Sequence, residues 1–206
     1  AERDAADVGQ GEGNEVNRAV DVLVAGMGLV VAGPLLAAAA IATKLGGGGP
    51  VLYRQTRVGK DGVDFELLKL RTMVVGAETM GAGFAVDKGD SRITRAGRVL
   101  RRTSIDELPQ LWNVLRGDMS VVGPRPTLRY QVEQYDERQR RRLDIRPGLT
   151  GWAQVQGRAS LPWADRIELD VWYVENRSPK VDLEILLRTP LALFRGTYRG
   201  ATGGWR

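Results

Sequence analysis

The stretch Thr103-Ser-Ile-Asp-Glu-Leu-Pro-Gln-Leu-Trp-Asn-Val-Leu-Arg-Gly-Asp-Met-Ser-Val-Val-Gly-Pro-Arg-Pro126 sets two adjacent carboxylates, Asp106 and Glu107, at an expected helix start. Ser104 and Glu107 have capping-box spacing, but that register puts Pro109 at the fifth helical position, where its missing N–H is a loss. With Asp106 as N-cap, Pro109 falls at N3, where no intrahelical donor is needed. The same residues have a chemical reading. A carboxylate at a helix N-terminus sits in positive potential, stays ionised and faces the place where a phosphate docks. Successive helical residues diverge by about 100°, so one can face a reacting phosphorus while the other holds a cation. On pattern alone, helix cap and chemical site remain alternatives.

The stretch closes on Arg125 between Pro124 and Pro126, which hold its backbone extended. Such an arginine is placed for bidentate phosphate binding, and Arg101 and Arg102 lie just upstream. A Pro-rich structural turn with a solvated arginine reads equally well. The chain has no His and no Cys. Disulfides, thiolates and the usual neutral-pH base are therefore excluded, and carboxylates lead the candidates for covalent or acid–base chemistry. A metal would be held by oxygen, which suits Mg²⁺ or Mn²⁺.

Upstream, Val51 to Gly62 reads as a strand running into a turn at Asp61-Gly62, and Phe65 to Met73 can return as the second strand of a hairpin. Residues 76–91 are Gly-rich and polar, an expected mobile loop, and Ile93 to Arg102 reads as a short basic helix. Val22 to Thr43 is uncharged for 22 residues, the length of a membrane helix. Gly33-Pro34 breaks it into arms of about half a bilayer each. Arg18 and Lys44 flank it with positive charge on both sides, which favours both ends in the cytoplasm. A hairpin dipping into one leaflet satisfies both observations; a kinked spanning helix is the alternative.

Downstream, Leu128 to Leu143 runs from acids to arginines, with Asp136–Arg140 and Glu137–Arg141 as i,i+4 pairs; it reads as a solvated helix, with a lipid- or nucleotide-binding patch as the alternative. Arg146 to Trp152 reads as a turn, Trp163 to Val174 as a helix, and Val181 to Phe194 as an apolar helix kinked at Pro190. The tryptophans and the Leu-rich tail suit either a membrane interface or ordinary core. Net charge is +5. Residues 1–15 are acidic, so the body is more basic than the whole and suited to an anionic partner.

Several blocks together resemble the bacterial sugar transferases, the monotopic phosphoglycosyl transferases. They are Ser104–Pro126, Arg146-Pro-Gly-Leu-Thr-Gly-Trp-Ala-Gln-Val-Gln-Gly-Arg158, Glu168-Leu-Asp-Val-Trp-Tyr-Val-Glu-Asn176, Leu67-Leu-Lys-Leu-Arg-Thr-Met73 and the Pro-broken apolar run. The resemblance covers residues 16–195 in order. It implies transfer of a sugar phosphate from a UDP-sugar to polyprenol phosphate, with release of UMP. It implies Asp106 as the nucleophile of a covalent phosphosugar–aspartate intermediate, Glu107 as Mg²⁺ ligand, and Arg101 and Arg125 as phosphate-facing residues. Arg158, Asp170 and Asp182 match further polar positions near the family's site. Two departures stand out: the family's Ser-Pro break is Gly33-Pro34 here, and Asn17 replaces a lysine found in some members beside Arg18.

The expectation is a mainly helical α/β monotopic membrane protein at the bacterial inner membrane, with its catalytic domain on the cytoplasmic face. Residues 1–15 form a disordered acidic lead-in, 16–45 a re-entrant hairpin, 46–200 the catalytic domain with a small β hairpin and amphipathic interfacial helices, and 201–206 a tail. Membrane lipids are expected partners; homo-oligomerisation is left open. Nucleic acid is not expected, because no basic–aromatic interleaving or nucleic-acid motif is present.

Overall fold

The computed structural model describes residues 2–80, 89–157 and 160–194, with side chains from Arg18 onward. Helix α1 (Glu2–Leu45) leads into a hairpin of β1 (Leu52–Val58) and β2 (Asp64–Leu70). Then come α2 (Arg95–Thr103), α3 (Gln110–Arg116), β3 (Ser120–Val122), α4 (Arg129–Val132) and α5 (Glu137–Arg140). The described chain finishes with β4 (Gly148–Thr150), α6 (Trp152–Gln156), α7 (Trp163–Asn176) and α8 (Pro179–Phe194). The tail, the 81–88 part of the expected loop, and Arg158 lie outside the described residues.

The hairpin forms where the sequence placed it. β1 and β2 pair antiparallel from Leu52 opposite Leu70 to Val58 opposite Asp64. Asp61 and Gly62 both take positive φ (56° and 76°), the backbone a tight hairpin turn requires. β2 would be an open edge, but buried Asn113 of α3 occupies it: its Oδ1 accepts from Leu68 N at 3.0 Å and its Nδ2 donates to Glu66 O at 2.7 Å. This amide mimics a neighbouring strand and pins α3, with the carboxylate turn just before it, against the hairpin.

α1 docks on this unit. Its buried Asp21 accepts from Ser120 Oγ (2.9 Å) and Val121 N (2.8 Å). Ala25 joins Leu67, Leu111, Val114 and Met119 in one core cluster; beyond Pro34, Ala39 joins Leu70 and Leu100 in another. Arg18 donates to the carbonyls of Val114 (2.5 Å) and Leu115 (2.8 Å) at the end of α3. The outward side stays apolar and exposed at Leu23, Met27, Val30, Val31, Leu35 and Ile41. Arg18–Leu45 is long and apolar enough to cross a membrane. α1 is one helical element through Gly33-Pro34, and it also includes residues 2–15, the segment expected as a disordered lead-in.

Two downstream expectations are corrected. Leu128–Leu143 is not one helix: it breaks into α4, α5 and a short 3-10 turn. Asp136 starts a new element by accepting from Gln139 N at 2.8 Å, and Arg138 and Arg141 reach Glu168 and Glu175 of α7 instead of pairing along their own helix. Tertiary pairs thus replace the i,i+4 pairs. Arg146–Trp152 is more than a turn: β4 pairs parallel with β3, Ser120 opposite Gly148 and Val122 opposite Thr150, and α6 begins at Trp152.

Candidate active site

Asp106 and Glu107 sit in a 3-10 turn, Ile105–Glu107, between α2 and α3. Neither capping register forms. Ser104 takes a left-handed conformation (φ 57°) that ends α2, its side chain caps nothing, and α3 starts only at Gln110 after Pro109. Both carboxylates are therefore free of the helix-cap role that competed with the chemical reading.

Their environments push them apart. Asp106 is 7% exposed, and burial, followed by the Glu107 charge, raises its pKa to about 6; Lys69, Arg101 and Arg125 oppose that rise. Burial acts on Glu107 in the same direction, but Arg125 and Lys69 outweigh it and hold its pKa well below the usual carboxylate range. Lys69 Nζ lies 2.8 Å from Glu107 Oε1 and Arg125 Nη2 2.6 Å from the same oxygen. The expectation that a helix dipole keeps Asp106 strongly ionised is thus replaced by a burial-controlled carboxyl poised near neutrality. A pair of neighbouring carboxyls tuned in opposite directions is a recurrent mark of a reactive site.

Lys69 is the residue that reading by motif missed. It lies within the Leu67–Met73 block, in a strand whose next-door positions Leu68 and Leu70 are buried. A lysine on the other face of a half-buried strand was the available signal. The site also gathers Arg101, whose Nε donates to Thr72 Oγ1 at 2.8 Å.

The Arg125 turn is held by its main chain. Four successive carbonyls accept from four directions: Pro124 O from Gly148 N (2.8 Å), Arg125 O from Arg142 Nη2 (2.9 Å), Pro126 O from Arg57 Nη1 (3.3 Å) and Thr127 O from Val58 N (3.0 Å). This lattice leaves the Arg125 side chain free to reach Glu107. Arg142 is itself buried and paired with Asp170 at 2.6 Å, with Tyr135 as a further hydrogen-bond partner. Burial raises the Asp170 carboxyl to about 6 even though Arg142 opposes it. Asp170 thus belongs to the support of Arg125. Asp182 meets different partners: Tyr173 donates to it at 2.6 Å, and burial raises its pKa. Gly33 and Pro34 lie in the middle of α1, where no atom outside the helix comes within 4 Å of a Cβ placed at 33.

Among the described residues no group of three or more His, Cys, Asp or Glu is arranged to hold a metal ion. The protein's oxygen donors at the site are the Asp106–Glu107 pair.

Residues 13–196 match the family model described as bacterial sugar transferase. The chain is 47% identical to the UDP-glucose:undecaprenyl-phosphate glucose-1-phosphate transferase of Caulobacter vibrioides, over 84% of this chain and 67% of that one. It is 42% identical to the UDP-N-acetylgalactosamine-undecaprenyl-phosphate N-acetylgalactosaminephosphotransferase of Aeromonas hydrophila, over 88% of this chain but 44% of that one. It is 39% identical to the exopolysaccharide production protein ExoY of Rhizobium meliloti, over 90% of this chain and 89% of that one.

Proposed function

Because this chain belongs to the bacterial sugar transferase family, we propose that it moves a sugar phosphate from a UDP-sugar to undecaprenyl phosphate, a membrane step in polysaccharide assembly. The observation that carries the reading is the pair of buried Asp106 and part-buried Glu107 ringed by Lys69, Arg101 and Arg125. Phosphoryl transfer asks a protein mainly for positioning, charge neutralisation and a nucleophile, and a carboxylate nucleophile needs no general base.

In the first half-reaction an ionised Asp106 oxygen attacks the sugar-bearing phosphorus. The O–P bond forms as the bridging P–O bond breaks, and UMP leaves with that electron pair. Arg125 and Arg101 face the phosphate charge, and Lys69 and Arg125 fix the orientation of Glu107. In the second half-reaction an oxygen of the lipid phosphate attacks the same phosphorus and Asp106 leaves as carboxylate. No proton has to be delivered in either step, which suits a chain without His. Glu107 would be the protein carboxylate that holds Mg²⁺, an ion that takes few protein carboxylates and completes its shell with phosphate and water. When bound it would neutralise charge on the diphosphate.

α1 supplies the location. Arg18 before the apolar run and Thr43 and Ala39 after its break are all attached to the catalytic body. A body on the cytoplasmic face keeps both ends on that face, which supports a helix that enters one leaflet and returns.

Incubation with Mg²⁺ and UDP-sugar in the absence of lipid should release about one UMP per protein and leave a phosphosugar on Asp106. UMP release only when lipid is present would instead establish direct displacement.

A further inference from the structure

The hairpin face that delivers Lys69 to Glu107 carries a second cation. Tyr53, Gln55 and Arg57 alternate on that face, with Tyr53 directly opposite Lys69 in the ladder. Arg57 Nε and Nη2 donate to Gln55 Oε1 at 3.1 and 2.6 Å, and its Nη1 donates to Pro126 O. All of these acceptors are neutral. Burial and then the Arg125 charge lower Arg57 to about 10. Arg166 of α7 is brought to the same region, because its neighbour Ile167 packs in one core cluster with Val58, the neighbour of Arg57. It lies one turn before Asp170, its guanidinium stacks over Trp163 at 5.2 Å, and its buried Nε has no hydrogen-bond partner. Burial and then Arg125 lower its pKa as well.

The neighbouring cations already have a carboxylate partner. Arg142 is neutralised by Asp170, and Arg125 and Lys69 share Glu107. Arg57 and Arg166 are left as guanidiniums beside a third, with no ion-pair partner among the described residues. Like charges gathered out of bulk water oppose folding unless an anion joins them, and such arrangements concentrate at functional sites. Holding the Pro126 carbonyl does not require charge, because any neutral N–H donor would serve.

We propose that Arg57 and Arg166 form a second anion subsite flanking Arg125, for the phosphate of a diphosphate donor that is not attacked and departs with the nucleoside. This rests on the donor reading above. The two guanidiniums hold the leaving phosphate while Asp106 faces its neighbour, so that the bridging oxygen lies between the two groups of cations.

The test uses the full chain in detergent micelles without divalent metal, titrated calorimetrically with inorganic pyrophosphate and with inorganic phosphate. Wild type should bind pyrophosphate more tightly than phosphate. Arg57→Gln and Arg166→Gln should each weaken pyrophosphate about tenfold, the scale of a lost hydrogen bond to a charged group, and phosphate much less. Arg57→Lys should keep most of the pyrophosphate affinity, whereas a purely structural role would make Lys and Gln alike. Unchanged pyrophosphate affinity in both Gln variants, or equal losses for both anions, overturns the subsite. If Arg57→Gln does not fold, Arg166→Gln and Arg57→Lys still decide. Binding needs no turnover, so a wild type that shows the subsite but releases no UMP would count against the donor reading alone.

Discussion

Arg142 donates to the backbone carbonyl of Arg125 while its own charge is matched by Asp170. One buried ion pair therefore positions the main chain of a residue whose side chain reaches Glu107. Asp170→Asn leaves Arg142 buried without a counter-charge, and breaking such a pair costs about 3–5 kcal/mol. Thermal unfolding should show that loss. Activity should fall even well below the variant's melting temperature, because the Arg125 turn loses its support. Unchanged stability and turnover would mean that Asp170 does not serve this turn.

The raised pKa of Asp106 gives a signed pH dependence. The nucleophile must be ionised, so the rate of UMP release should climb through about pH 6 and level off above it. Stability should run the other way. The folded carboxyl binds its proton more tightly than the unfolded one, so its contribution is fully present below the unfolded value near 3.8 and is lost as pH rises through about 6. Asp106→Asn should abolish the adduct yet unfold at a higher temperature than wild type at pH 7.5, by an amount on the order of 2 kcal/mol. The gain should shrink toward pH 4. An Asn variant less stable than wild type at pH 7.5 would contradict the burial argument.

Lys69 lowers the Asp106 carboxyl and holds Glu107. Lys69→Met should therefore move the acidic limb of the rate profile to higher pH and reduce turnover by roughly a hundredfold, in the range of a lost electrostatic group at a reaction centre. A profile that drops in height but does not shift would assign Lys69 to scaffolding only.

Gly97 lies where α2 meets the strand end. A Cβ there would overlap the Thr72 carbonyl oxygen and press on its carbonyl carbon at 2.7 Å. Thr72 also accepts from Arg101. Gly97→Ala should cost about 1–3 kcal/mol by overpacking and should weaken donor binding through the displaced Arg101. Chemical denaturation and the KM for nucleotide sugar read the two effects separately.

Cysteines placed singly at positions 18 and 44 report on α1. In sealed vesicles of known orientation both should react with an impermeant maleimide on the cytoplasmic side. Labelling from opposite sides would establish a spanning helix.

The parts of the fold written in local chemistry were legible. Asp61-Gly62 announced the hairpin, and α2 and α7 follow their periodic patterns. What stayed hidden depends on partners distant in sequence. The three-residue strands β3 and β4 are too short to show a period, and they exist because Ser120 and Val122 meet Gly148 and Thr150. The arginines after Asp136 looked like a self-paired helix face, but their acids are on α7. At the site, Asp106, Glu107 and Arg125 were found by residue type and spacing. Ser104 spoiled both capping registers because its left-handed backbone turns the chain before α3 begins. Lys69 showed only as a lysine on the other face of a half-buried strand, and it is the folding of the hairpin against α3 that brings it to Glu107.

The contact between α1 and α3 has a mechanical meaning. Leu111 stands four residues after Glu107, and its side chain comes within 3.2 Å of where a Cβ on Gly28 would lie. On the proposed reading, the depth at which α1 rests in lipid sets the height of Asp106 above the membrane surface. A lipid-borne phosphate cannot climb to meet an enzyme, so α1 would act as a ruler. A shift of one helical turn, about 5.4 Å, would carry the carboxylate out of its reach.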